Sequence, residues 1–440
     1  MLNRCLSSTC IRAFALAVAV SSLSCTDGTG PKGPDNSIAS IDVAAPIASL
    51  LVSETFQASA VVRNSGGGSA PSGPITWRSS NTAVASVSAN GTVTAVGVGT
   101  TQISAEFGGS KGEMTVRVVA TEIIQSVDQY SGGTLAFTST RGGALDVFVV
   151  GPAGVQRVTT NPDHEQFDGW SPDGNRLAFI RFPPETGDFT SHIVNTDGSN
   201  DVVVERGLVQ WSPNWTKRNS YREGRLVVTN PDGSNAVIVT PPAGDTVYGG
   251  WWAPDGSKLA FVYAPTRAVL SDIYVVNADG SGLRNLTNSP NVAEEYANWS
   301  PDGTRLAMSG HNYFNGIGSS LYVANVNGSE ISRITSNTTD QDDFEPEWSP
   351  NGNLITFTAV RLGTFGMYVI SGSGGTPVRL SPANMVAGFG KWSADGTRLA
   401  FTAIIQGTSR QNIFVMTLDR TKIFQISARS LDNLRPVWKP

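Results

Sequence analysis

Apolar and polar positions alternate in short runs along most of the chain, and Gly, Asn, Asp or Pro closes each run. Between residues 38 and 120 the runs SIASIDV, FQASAVV, ITWRSS, AVASVS, GTVTAV, TTQISAEF and MTVRVV follow one another, punctuated by turn residues such as Asn90-Gly91. Period-two alternation over about seven short strands predicts a β-sandwich. Gly108-Gly109-Ser110-Lys111-Gly112 matches the G-x-S-x-G spacing of a nucleophile elbow. That motif needs a strand before it, a helix after it and a histidine base. Here strands flank it on both sides, and His164, His192 and His311 all lie further along the chain. It reads as a hairpin turn.

From residue 131 a ten-residue phrase recurs: WSPDGNRLAF at 170, WAPDGSKLAF at 252, WSPDGTRLAM at 299, WSPNGNLITF at 348 and WSADGTRLAF at 392. The motif tryptophans Trp170, Trp211, Trp252, Trp299, Trp348, Trp392 and Trp438 are 41, 41, 47, 49, 44 and 46 residues apart. Such a period predicts a β-propeller with one four-stranded blade per repeat. Within the phrase, Pro pre-sets φ, Asp bonds back to the backbone and Gly takes the positive-φ position of a tight turn. Asp173, Asp255, Asp302 and Asp395 are therefore turn formers rather than catalytic acids. Seven tryptophan phrases predict seven blades, or six if the weak repeat WSPNWTKRNSYREG at 211–224 is not a blade. The orphan GGTLAF at 132–137 lacks an inner strand, and the segment ending Trp438-Lys439-Pro440 lacks a following one. The C-terminal strand is thus expected to pair with the first blade and close the ring, removing both sheet edges.

The stretch ITWRSSNTAVASVSANGTVTAVGVGTTQISA, with Trp77, Ser79-Ser80-Asn81, Val84, Val87, Gly91, Val93 and Gly99 in order, resembles the group 2 bacterial Ig-like repeat. The repeats over essentially all of 131–440 resemble the TolB-type, WD-like β-propeller. Together the resemblances imply an all-β chain in which an Ig-like sandwich, a spacer or adhesion element, precedes a propeller. TolB propellers are usually six-bladed, so seven blades would be a departure.

Composition adds limits. The chain has 440 residues, 15% of them charged, and a net charge of −5, which argues against nucleic acid as a partner. Cys5, Cys10 and Cys25 are its only cysteines, so neither disulfides nor Cys-based zinc sites are expected in the body of the protein. Arg4 and Arg12 precede the apolar run 13–20, which is too short to span a membrane and fits a signal peptide over 1–24. Cys25 follows Ser22-Leu23-Ser24, which suits either a simple cut or lipid attachment to Cys25. The polar stretch TDGTGPKGPDNS behind it favours the lipid anchor, for which residues 25–37 would be the tether. The expected order is then signal peptide 1–24, tether 25–37, Ig-like domain 38–120, linker 121–130 and propeller 131–440.

Turns one and three of every blade share one face of the disc, and the long variable connections share the other. Variable loops on a rigid scaffold are where binding sites usually lie. Acids stand just before or at the start of the innermost strands: Asp163, Glu165, Glu294, Glu295, Asp342, Asp343 and Asp432. They are expected to line the channel mouth, with His164, His311 and Arg435 beside them. The second connections carry Arg141, Arg181, Arg267, Arg361 and Arg410 instead. Either the two sets neutralise each other in surface salt bridges, or they form a polar face for a protein or glycan. No H-x-H or H-E-x-x-H spacing joins the three histidines, so no metal or other cofactor is expected. Phe182, Phe189, Tyr313, Phe314 and Phe365 lie in the same loops and suit sugar stacking or peptide anchoring equally. The reading that results is a monomeric, non-enzymatic binding or scaffold protein of the bacterial cell envelope. It would recognise a protein partner through the loop face and touch the membrane only through its lipid. The alternative is a carbohydrate-binding or carbohydrate-cleaving propeller.

Overall fold

The computed structural model describes residues 38–440 except 45–48, 65–72, 125–129, 131, 184–186, 241–245, 265–269, 313–316, 338–340, 362 and 428–432. Almost every regular element in it is a strand, and the first ten build the Ig-like unit and its exit. Ser110–Val119 pairs with Gly99–Phe107, which pairs in turn with Thr76–Ser79. Thr55–Gln57, Thr92–Ala95 and Ala85–Val87 form a second sheet. Leu50, Phe56, Val93, Ile103, Val116 and Val118 are buried between the sheets, the inward half of the alternation read from the sequence. Gly108 and Gly109 sit at φ 58° and 85° in the turn that joins the two longest strands of this unit, so the G-x-S-x-G stretch is a hairpin.

Among the described residues, seven sheets follow, each with four antiparallel propeller strands, consecutive in the chain in all but the first. The second is representative: His164–Trp170, Arg176–Phe182, Thr190–Asn195 and Val202–Arg206 run from the channel outwards. Its first turn is built by side chains. The Ser171 hydroxyl donates to Asp173 at 2.6 Å and accepts from the Arg176 N–H at 2.8 Å, while Asp173 accepts from the Asn175 N–H at 3.0 Å. Gly174 takes the left-handed position at φ 65°. The same bonds recur at Ser300 and Asp302, and at Ser393 and Asp395. They hold the Asp302 carboxyl down at about 2. These acids are turn formers.

Blades meet through apolar faces on both sides. Ala136 and Val147 of the first blade pack with Phe167, Leu177, Phe179 and Val194 of the second, each at most 2% exposed. Every such Leu or Phe contributes roughly 1.5–3 kcal/mol relative to exposure. The indoles add directional links. Trp170 Nε1–H donates to the Val437 carbonyl at 3.1 Å, and Trp299 Nε1–H to the Trp251 carbonyl at 2.9 Å. At the chain end, Asn433–Trp438 is the innermost strand of the first sheet, antiparallel to Leu135–Ser139, with Leu135 opposite Trp438. Trp438 Nε1–H reaches on to the Lys391 carbonyl of the seventh sheet at 2.9 Å.

The stretch expected as linker is partly sheet. Glu122–Ile124 adds to the outer edge of the seventh sheet, parallel to Lys422–Gln425. One contiguous core therefore runs from Leu50 and Val118 of the Ig-like unit to Met416 and Ile423 of the propeller.

Candidate functional site

The structure separates the acids named above. Glu165, Glu294 and Asp343 are buried, at 0%, 3% and 0% exposure, so they do not form the exposed ring at the channel mouth that was expected of them. The reason is a joint between blades that recurs around the disc. The innermost strand starts against the third strand of the preceding blade: the Glu165 N–H donates to the Leu145 carbonyl and the Glu294 N–H to the Ser271 carbonyl. A threonine from that preceding blade bridges the two. Thr287 Oγ1 accepts from the Ile273 N–H at 3.1 Å and donates to Glu294 Oε2 at 3.1 Å. Thr159 and Thr335 accept from Val147 and Leu321 in the same way. The outer-strand endings RVT, NLT and RIT are therefore joint chemistry.

Two of these buried acids are paired with arginines of the second connections, but inside the blade wall rather than on the surface. Arg181 lies 2.6 Å from Glu165 and 2.5 Å from Asp201, and Arg361 lies 2.5 Å from Asp343. Desolvation pushes all three buried carboxyls up, and Glu294, with no arginine paired to it among the described residues, rises to about 7. Asp163 is half-buried and its N–H donates to Asn161. The exposed His164 accepts from the Leu145 N–H at Nδ1. Glu295 and Asp342 are half-buried, and Asp342 accepts from the Ser319 N–H at 2.8 Å. His311 is half-buried with Ser319 Oγ 3.4 Å from its Nδ1. His192 is buried under Phe179, between Asp201 at 2.7 Å and Thr190 at 2.8 Å. His164 and His192 thus share one blade, and His311 belongs to another. Cys25, Arg267, Tyr313, Phe314 and Asp432 lie outside the described residues.

Other residues line the channel. The innermost strands break register midway, at Phe167/Gly169, Gly249/Trp251, Glu295/Asn298, Phe344/Glu347 and Gly388/Lys391, and opposite Ala136/Thr138 in the last strand. At the breaks Tyr296, Glu345, Phe389 and Arg435 adopt left-handed φ of 51°, 55°, 57° and 51°. Such conformations cost of order 1–3 kcal/mol each, and both they and β-bulges concentrate at functional sites. With Asp168 these four side chains surround a cavity of about 330 Å³. Tyr296 and Phe389 are 47% and 44% exposed, a large aromatic surface to leave open. Lys391 Nζ lies 2.7 Å from Glu347 Oε2, which also accepts from Asn298 Nδ2. Thr358 Oγ1 donates to Glu345 at 3.3 Å. Desolvation lifts the half-buried Asp168 to about 6, against the opposing pull of the Arg435 charge. Carboxylates, two cations and two open aromatic rings thus converge on one space, a set suited to gripping a ligand by stacking and charge. Of the expected site residues, Arg435 is in this wall. The other four were missed: Tyr296, Glu345 and Phe389 share with Arg435 the third place before a motif tryptophan, and Asp168 stands second before Trp170.

The model of the TolB β-propeller domain matches residues 216–440. The chain belongs to the TolB β-propeller family. A group 2 bacterial Ig-like domain matches residues 37–118 ahead of this TolB-type propeller. The Tol-Pal system protein TolB of Anaeromyxobacter dehalogenans (strain 2CP-C) is 31% identical over 125 residues, 27% of this chain and 28% of that protein. A TolB homolog of Chlorobium luteolum is 28% identical over 163 residues, 37% of this chain and 35% of that one. The chain therefore spans about a third of the length of these relatives. An oligogalacturonate lyase solved in complex with manganese superposes with a TM-score of 0.54 at 16% identity, covering 67% of this chain and 88% of that one. That likeness concerns the fold. Among the described residues of this TolB-type chain, no helix is long and apolar enough to cross a membrane.

Proposed function

We propose that the chain is a non-enzymatic binding protein of the bacterial cell envelope, holding a protein partner at the loop face and channel mouth of its propeller. The observation that carries this reading is the channel wall. Tyr296, Glu345, Phe389 and Arg435 are all held in left-handed backbone, and two of them expose aromatic rings to the cavity. Such conformations are retained where the side chain's direction matters more than backbone ease. The relatives called TolB support an envelope setting, and residues 1–37 carry the pattern of an exported chain tethered through Cys25. The buried acids at the blade joints belong to the scaffold in this reading, and the channel belongs to the partner.

A photo-crosslinking amino acid at position 389, compared with one at position 395 on the turn face, tests it. Partner adducts should form from position 389 in envelope preparations and vanish when Glu345→Gln and Arg435→Gln are added. Adducts formed only from position 395 would place the partner on the opposite face and overturn the assignment.

A further inference from the structure

The third blade meets the blade before it through polar groups. In the phrase WSPDGNRLAF, Leu177 and Phe179 of the second blade pack on the first and are at most 1% exposed. Leu259 and Phe261 of the fourth blade pack on the third in the same way, and the first, fifth, sixth and seventh blades carry a like pair. In the third repeat, WSPNWTKRNS, those two positions hold Arg218 and Ser220. Among the described residues, buried apolar clusters join every pair of neighbouring blades except the second and third. Glu205, on the outermost strand of the second blade, spans that joint instead. It lies 3.1 Å from Arg218 Nη2 and accepts from Ser220 Oγ at 3.2 Å and from Arg222 Nη2 at 3.1 Å. Arg218, Ser220 and Arg222 alternate along one strand, so all three meet the second blade on one face. Arg218 is 3% exposed, and desolvation pulls its pKa down, so part of what its ion pair gains is lost again to burial.

The joint is also loosely filled. The Trp215 ring stacks on Trp211 with centroids 4.6 Å apart, and Arg176 of the second blade lies 5.2 Å from the Trp215 ring. Space lies on both sides of this stacked pair. A recess of about 250 Å³ shares Asp168 and Trp251 with the channel cavity, and a groove of about 360 Å³ runs along Val202, Val203 and Val204 of the outermost strand. Trp211 and Trp215 line both, so the pair is the partition between channel and rim. Gly207, at φ 96°, stands in the short crossing from one blade to the next.

We propose that the joint between the second and third blades is a side gate, the place where the closed ring parts while its C-terminal strand stays paired. An apolar joint opens only by exposing its Leu and Phe side chains to water, at a cost that grows with their area. This joint exposes ions and hydroxyls that water takes up, and salt weakens the attraction of Glu205 for its arginines. Parting there opens the channel cavity to the rim through the recess and the groove. The gate is a property of the ring and does not depend on what the channel holds.

Native-state hydrogen exchange of the full chain tests it at amides whose bonds cross a joint. The Val209 N–H donates to Ser191 Oγ across the proposed gate, whereas the Glu165 and Glu294 N–H groups donate to the Leu145 and Ser271 carbonyls across apolar joints. Val209 should exchange about tenfold faster than either, or more. The gap should widen at about 1 M salt, where the screening length falls to about 3 Å. Glu205→Gln should speed exchange at Val209 and remove its response to salt. Arg218→Leu combined with Ser220→Phe, which restores the apolar pair, should slow it to the rate at Glu165. Equal rates at the three amides in the wild type, or a Val209 rate indifferent to both salt and Glu205→Gln, would overturn the proposal. Earlier exchange along Asn433–Trp438 would overturn it too, by moving the weak joint to the C-terminal closure.

Discussion

Arg420 of the propeller grips Glu54 of the Ig-like domain through two parallel hydrogen bonds, Nη1 to Oε2 at 2.6 Å and Nη2 to Oε1 at 2.5 Å. Arg420 is 1% exposed, and its own backbone is left-handed at φ 61°. Around it, Ser49 Oγ donates to the Asp419 carbonyl at 2.8 Å and Thr121 Oγ1 to the Arg420 carbonyl at 2.9 Å. With the strand Glu122–Ile124 on the seventh sheet, these bonds seat the Ig-like unit on the blade. A free spacer would make none of them.

Arg420→Ala should therefore cost about 2–4 kcal/mol, since it strands a partly buried carboxylate and removes a bidentate pair. In calorimetry the wild type should melt with the Ig-like domain and seventh blade coupled, and the variant should show two separated transitions. A variant that melts like the wild type would mean that the strand pairing, the Ser49 and Thr121 bonds and the shared core hold the two domains without the ion pair.

Glu294 should make stability fall as the pH rises from acid to neutral. Its carboxyl rises to about 7 in the folded chain from an ordinary 4.5, because burial penalises the charged form. The unfolded chain therefore loses this proton first, and stability declines from about pH 4.5 up to about pH 7, then levels off. The difference is on the order of 3 kcal/mol at most. Glu294→Gln should remove that decline and match or exceed the wild type at pH 8 in denaturant titrations. If the two proteins show the same pH profile, the carboxyl is ionised inside the joint.

Phe389→Gly should trade binding for stability. Its φ of 57° is strained for phenylalanine and easy for glycine, and the exposed ring contributes little to the core. The variant is expected to be as stable as the wild type or about 1 kcal/mol more so, while the partner's affinity falls. A marked loss of stability would show that the ring supports the channel wall instead.

Removing residues 433–440 should unlock the ring. The deletion takes away the innermost strand of the first sheet and leaves Leu135–Ser139 with an open edge. It also takes the Trp438 indole from the Lys391 carbonyl. Aggregation or a broad, non-cooperative melt is expected. Because the seventh blade carries the Ig-like unit, that unit should lose stability too, and an unchanged Ig-like transition would argue against the coupling through Arg420.

What could be read from the chain alone was whatever is settled within a few residues. The Ser171, Asp173 and Gly174 turn closes on itself, so its chemistry, its period and the propeller it implies are visible in the letters. The alternation of the Ig-like strands is legible for the same reason, since each strand's two faces are set by its own sequence. Burial of Glu165 or Asp343 was not legible, because it depends on a blade wall closing over a charge that looks, locally, like a surface loop residue. Nor was the channel wall. An inserted residue at a bulge turns its side chain into the channel only when the partner strand fixes the register, and five separate strands must converge before Asp168, Tyr296, Glu345, Phe389 and Arg435 share one space. Glu54 and Arg420 stand 366 residues apart and meet only once both domains are folded. Local hydrogen bonds and hydrophobic period are properties of the chain, whereas desolvation and convergence are properties of the enclosure, which tertiary packing alone creates.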